Sequence, residues 1–122
     1  MRKILIIEDN NDIRENTVEL LELEGYRVLF AENGRAGFEL AQANKPDVVV
    51  CDIMMPEADG YEVFNLLKND VDTMGIPFIF LTASVERKDI QAGLAMGAKA
   101  YIQKPLLPED LFEAITKCLA GR

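Results

Sequence analysis

Five short apolar runs punctuate the chain, and a longer stretch with a helical rhythm follows each of them. The runs are Ile4-Leu5-Ile6-Ile7, Tyr26 to Ala31, Val48-Val49-Val50-Cys51, Phe78-Ile79-Phe80-Leu81 and Ala100-Tyr101-Ile102. Their starts lie about 20 to 30 residues apart, the length of one strand-plus-helix unit. Between them, Asn11 is placed to cap a helix over Asp12 to Glu24, with Ile13, Thr17, Leu20 and Leu21 on one face and Gly25 as the stop. Further helices are predicted over Arg35 to Ala43, Tyr61 to Lys68 (with Val63, Phe64, Leu66 and Leu67), Arg87 to Met96, and Pro108 to Ala120. Pro108 suits a first helical turn, and Leu111, Phe112, Ile115 and Leu119 share a face.

Strand–helix alternation five times over predicts a parallel sheet with helices on both faces, a three-layer (βα)5 α/β sandwich. The first, third and fourth runs are continuously apolar, as befits strands covered on both sides. The second is interrupted by Arg27 and the fifth is flanked by Lys99 and Gln103, so these two read as edges. That ranking gives the order 2-1-3-4-5. Ligands of such sheets bind beyond the carboxyl ends of the strands, where the order reverses between strands one and three.

Composition narrows the chemistry available there. The chain has no histidine, which excludes Ser-His-Asp triads, Cys-His nucleophiles and His-ligated zinc or haem. Cys51 and Cys118 form no CxxC and read as reduced apolar fillers. The 21 acids against 13 bases argue against direct nucleic-acid binding. The acids are also unevenly spread, with seven against three bases in residues 1–25. The apolar run after Met1-Arg2-Lys3 is too short for a signal peptide, and no run has bilayer length, so a cytoplasmic protein is expected.

At the carboxyl ends of the predicted strands stand Glu8-Asp9, Asp52, Thr82-Ala83 and Lys104-Pro105. Any one acid at a strand end is ordinarily a helix cap or a loop anion. Three carboxylates converging there repel one another and require a counter-charge. A hard divalent cation with oxygen ligands supplies it, and Mg²⁺ suits a site with few carboxylates, water and phosphate oxygens. A metal, an ammonium and a hydroxyl around one free carboxylate suit phosphoryl transfer onto that carboxylate.

With these residues in place, the chain resembles the receiver domain of bacterial two-component response regulators, chemotaxis regulators among them, along essentially its whole length. Asp52-Ile53-Met54-Met55-Pro56-Glu57-Ala58-Asp59-Gly60 matches the D-x-x-M-P-x-x-D-G segment. The Glu8-Asp9 pair, Thr82-Ala83, Met96-Gly97-Ala98 and Tyr101 through Lys104-Pro105 complete the pattern. The resemblance implies a flavodoxin-like fold and makes Asp52 the phosphoacceptor. Glu8, Asp9, Asp52 and the backbone carbonyl of Met54 would hold Mg²⁺, with Mn²⁺ as a substitute. Lys104, Thr82 and the Ala83 amide would bind the phosphoryl group. Thr82 and Tyr101 would form the switch, Tyr101 turning inward as Thr82 moves and altering the face of the fourth helix, fifth strand and fifth helix. A cis peptide before Pro105 is also implied, with Asp59-Gly60 as a turn and cap. Met54 and Ser84, two residues beyond Asp52 and Thr82, border the route of attacking water and would tune the lifetime of the phosphorylated state.

The expected function is that of a phosphoaccepting switch rather than an enzyme, catalysing just its own phosphorylation and dephosphorylation. Because the chain carries no histidine, its phosphohistidine donor is another protein or domain, a histidine kinase or histidine phosphotransfer domain. Output would pass to a downstream effector or a fused output domain, with homodimerisation on phosphorylation as a further outcome. Residues 1–122 are expected to form a single receiver domain without an output domain, either free-standing or cut from a longer protein. An FMN carrier would need a Ser/Thr-rich loop where Glu8-Asp9-Asn10-Asn11 stands. An aspartyl phosphohydrolase usually needs an acid where Met54 stands.

Overall fold

In the computed structural model, residues 1–55, 58–83 and 87–120 are described, residues 87–90 by backbone alone. Strands and helices alternate in the order β1 (Lys3–Ile7), α1 (Asn11–Leu23), β2 (Arg27–Ala31), α2 (Gly34–Asn44), β3 (Val48–Asp52), α3 (Gly60–Lys68), β4 (Phe78–Thr82), α4 (Arg87–Ala95), β5 (Ala100–Gln103) and α5 (Pro108–Ala120). The five strands are parallel in the order β2-β1-β3-β4-β5. The continuously apolar runs account for this order: β1, β3 and β4 hold the centre and are buried almost throughout, while β2 and β5 lie at the edges.

Pleat alternation sends successive side chains to opposite layers. Leu5, Ile7, Val49, Cys51, Phe78 and Phe80 pack with α2 and α3 in a layer rich in aromatic rings. Ile4, Ile6, Val48, Val50, Ile79 and Leu81 pack with α1 and α5 through Leu21, Leu111, Ile115 and Cys118, an aliphatic layer. Both cysteines are buried and free, and burial pushes the thiol pKa of each upward.

The caps are largely those the sequence suggests. Asn33 and Asp59 accept the N–H groups of Ala36 and Glu62 to open α2 and α3, and Gly25 takes a positive φ of 92° after α1. Two details differ. The cap of α1 is Asn10, which accepts the N–H of Ile13 at 3.0 Å; Asn11 starts the helix and accepts instead from the Arg14 guanidinium. On α3, Leu66 lies exposed while Val63, Phe64 and Leu67 are buried. Among the described residues, no helix is long and apolar enough to cross a membrane.

Candidate functional site

Strand register assembles the site. Ile7 pairs with Cys51, Asp52 with Leu81 and Thr82 with Gln103, so four strands end within about one residue of a common line. Backbone bonds carry that alignment past the strand ends. The Glu8 N–H donates to Ala31 O at 3.1 Å, Ile53 N–H to Leu81 O at 3.0 Å and Lys104 N–H to Thr82 O at 2.7 Å. Glu8, Asp9, Asp52, Thr82, Ala83 and Lys104 are thereby brought to one edge of the sheet. Tyr101, three residues before Lys104, pairs with Phe80 in the register of β5.

Glu8 and Asp52 are both buried, and Lys104 bridges them, its Nζ lying 2.7 Å from Glu8 Oε1 and 3.1 Å from Asp52 Oδ2. One oxygen each of Glu8, Asp9 and Asp52 falls within 4.8 Å of the others, with Asp9 exposed at the mouth. Among the described residues the charges of this cluster do not balance: one ammonium faces three carboxylates. Burial pushes the Glu8 pKa up to about 7; Lys104 opposes the shift and the charge of Asp52 adds to it. Burial works against the charge of Lys104, yet its two carboxylate partners outweigh burial and hold its pKa above the usual value. Glu8 Oε1 has no aligned hydrogen bond besides that ion pair among the described residues. A buried, oxygen-only, electron-rich cluster with an open side fits a hard divalent cation better than a second ammonium.

The surrounding backbone fixes these side chains. Asn10 N–H approaches Glu8 Oε2 at 3.3 Å, and the Arg14 guanidinium donates to the Glu8 carbonyl at 2.9 Å. Met54 N–H points at Asp52 Oδ1 from 3.4 Å while its side chain is exposed. Gly60 N–H donates to Ile53 O at 3.0 Å, and a Cβ on Gly60 would come within 2.7 Å of Asp52 O, so this approach requires glycine. Thr82 is buried at the end of β4, and the Lys104–Pro105 peptide bond is cis. Ser84, Pro56 and Glu57 lie outside the described residues. The sequence reading gave no role to Arg14, which anchors the Glu8 backbone from one turn inside α1, or to Tyr61, whose hydroxyl lies 3.4 Å from that of Tyr101.

An acidic cluster closed by one lysine, at the strand-order reversal of a five-stranded parallel sheet, defines a flavodoxin-like α/β protein with its ligand site at the carboxyl edge. Residues 4–116 match the family profile described as the response regulator receiver domain, and the chain belongs to that family. Protein PilH of Pseudomonas aeruginosa is 39% identical over 121 residues, covering 99% of this chain and all of that protein. Response regulator SaeR of Staphylococcus aureus is 36% identical over 98% of this chain, which spans about half (51%) of SaeR. Among solved structures, the chemotaxis protein CheY4 of Vibrio cholerae superposes with a TM-score of 0.91 at 30% identity, covering 98% of this chain and 99% of that one. The signal receiver domain of a histidine kinase from Syntrophus aciditrophicus gives 0.89 at 33%, covering 99% and 92%.

Proposed function

We propose that this chain is a phosphoaccepting switch of two-component signalling, with Asp52 as the acceptor. Phosphorylation by a histidine kinase is the general function of the family to which the chain belongs. The observation that carries the assignment to Asp52 is its burial in a cluster with excess negative charge, 3.1 Å from Lys104. Surface acids that merely solvate a face are neither buried nor gathered around one ammonium.

In the proposed reaction a carboxylate oxygen of Asp52 attacks the phosphorus of a phosphohistidine. The P–O bond forms as the P–N bond breaks, leaving an acyl phosphate on Asp52 and returning the electron pair to the imidazole, which then takes a proton. Lys104 Nζ, already beside Asp52, follows the charge onto the phosphoryl oxygens. Met54 N–H holds the Asp52 carboxylate in orientation. The Thr82 hydroxyl and Ala83 N–H serve as further donors at the end of β4. Glu8, Asp9, Asp52 and the Met54 carbonyl are the residues that would hold Mg²⁺, or Mn²⁺ in its place. When bound, the metal screens negative charge on the carboxylates and the incoming phosphoryl group.

Thr82, drawn toward the phosphoryl group, vacates space that Tyr101 fills, and the face of α4, β5 and α5 changes in consequence. Partners on this reading are a histidine kinase or histidine phosphotransfer domain upstream, and an effector or fused output domain downstream. The whole chain acts as one receiver unit in the cytoplasm, a switch rather than an enzyme with an external substrate. Met54, whose side chain is exposed, and Ser84, by its sequence position two beyond Thr82, set the lifetime of the acyl phosphate. The test is intact mass after incubation with acetyl phosphate. Native protein with Mg²⁺ should gain one phosphoryl group and should gain none in EDTA; no gain with Mg²⁺ would overturn the proposal.

A further inference from the structure

Pleat alternation divides the site between the two layers. Glu8, Asp52 and Lys104 continue the alternation of Ile6, Val50 and Ile102, on the aliphatic side. Thr82 continues that of Phe78 and Phe80, and Tyr101 packs with them on the aromatic side. There the Tyr101 ring centroid lies 5.9 Å from that of Phe80, and the ring lies so close over α4 that a Cβ on Gly93 would meet its Cε2 at 2.7 Å. Tyr61 also packs on Phe80, with centroids 5.1 Å apart, and its hydroxyl lies 3.4 Å from that of Tyr101.

Tyr61 follows Gly60, the residue bonded to Ile53 directly after Asp52. It therefore stands in the first turn of α3, one residue from the hydrogen bond that ties this helix to the segment after Asp52, while touching the switch residue. A good O–H···O hydrogen bond closes to about 2.7–2.8 Å, so the pair at 3.4 Å is stretched and gains strength in any position of Tyr101 that shortens it. A contact stronger in one position of Tyr101 than in another shifts the population toward the first.

We propose that Tyr61 is a positioning residue of the switch, whose hydroxyl draws Tyr101 against the aromatic layer when Asp52 is phosphorylated and holds it loosely otherwise. This rests on the switch reading above. The partner chemistry is one phenol meeting another, so removing a single oxygen from Tyr61 removes the effect while leaving its ring on Phe80. The net worth of one hydrogen bond corresponds to about a two- to tenfold change in the ratio of inward to outward Tyr101.

The chain has three tyrosines, Tyr26, Tyr61 and Tyr101, so ring-¹³C tyrosine labelling resolves each one, assigned through single Tyr→Phe variants. The probe is beryllofluoride with Mg²⁺, a phosphoryl mimic, added to native protein, Tyr61→Phe and Tyr61→Leu. Native Tyr101 should show a large displacement of its ring signal. Tyr61→Phe should show a clearly smaller one, yet gain the phosphoryl group from acetyl phosphate within about twofold of the native rate. Tyr61→Leu should diminish the displacement at least as much as Tyr61→Phe. Equal displacement in Tyr61→Phe and native protein overturns the role of Tyr61 and leaves the switch intact. An effect confined to Tyr61→Leu overturns it too, by assigning the coupling to ring packing. No displacement in native protein defeats the switch reading along with this one.

Discussion

The two edges of the sheet handle charge in opposite ways. At the amino edge, Asp47 accepts the N–H of Lys3 at 2.8 Å and lies 3.7 Å from the Arg2 guanidinium, while Lys3 Nζ donates to Asn44 O at 2.5 Å. The carboxylate there is matched by a guanidinium, the Lys3 ammonium rests on a carbonyl, and the groups are partly open to water. At the carboxyl edge, two buried carboxylates and an exposed third share Lys104, and Glu8 is driven toward neutrality. The matched edge ties β1 to the turn before β3. The unmatched edge gathers like charges that burial makes costly, and a strongly shifted carboxyl in such a cluster is what the proposed site would need.

The largest expected effect separates the edges by activity. Asp52→Asn should abolish phosphoryl gain from acetyl phosphate, whereas Asp47→Asn should leave it unchanged, both read by intact mass. Metal should act at one edge alone. Mg²⁺ at a hundred times its dissociation constant should stabilise native protein by about 2.7 kcal/mol in thermal melting, and Asp9→Ala should lose most of that gain.

A third contrast is one of sign. In EDTA at neutral pH, Asp52→Asn keeps an oxygen for Lys104 but removes one negative charge, and should raise stability by ~1–2 kcal/mol. The pH dependence follows the same logic. The folded-state pKa of Glu8 lies near 7, above its ordinary 4.5, so the folded protein holds the proton more tightly than the unfolded chain. This contribution is complete below about 4.5 and declines as pH rises toward 7, so the melting temperature in EDTA should carry a falling component that Asp52→Asn weakens. The smallest effect is the mirror image: Asp47→Asn should cost about 1 kcal/mol, the loss of a charge-assisted bond at the matched edge.

Much of this was legible in the sequence because it depends on short-range order. Continuous apolar runs against interrupted ones separate β1, β3 and β4 from β2 and β5, and so fix the strand order and the reversal that positions Glu8, Asp9 and Asp52. The cap of α1 was less legible, since Asn10 and Asn11 are chemically alike. The choice falls on Asn10 because its own N–H is turned toward Glu8 Oε2 while Arg14 ties down the Glu8 carbonyl. The exposure of Leu66 was hidden for a related reason: a helix of nine residues contains too few turns for periodicity to separate face from flank. The meeting of Tyr61 and Tyr101 was not legible at all. It joins residues 40 apart through the ring of Phe80, and no local pattern encodes that contact.

The central claim is that the phosphoryl group rests on Asp52. Borohydride reduces an acyl phosphate on aspartate to homoserine, which survives digestion. After acetyl phosphate and Mg²⁺, peptide mass mapping of reduced native protein should find homoserine at position 52 and at no other acid. Homoserine at another position, or none in protein that has gained the phosphoryl mass, would contradict the account.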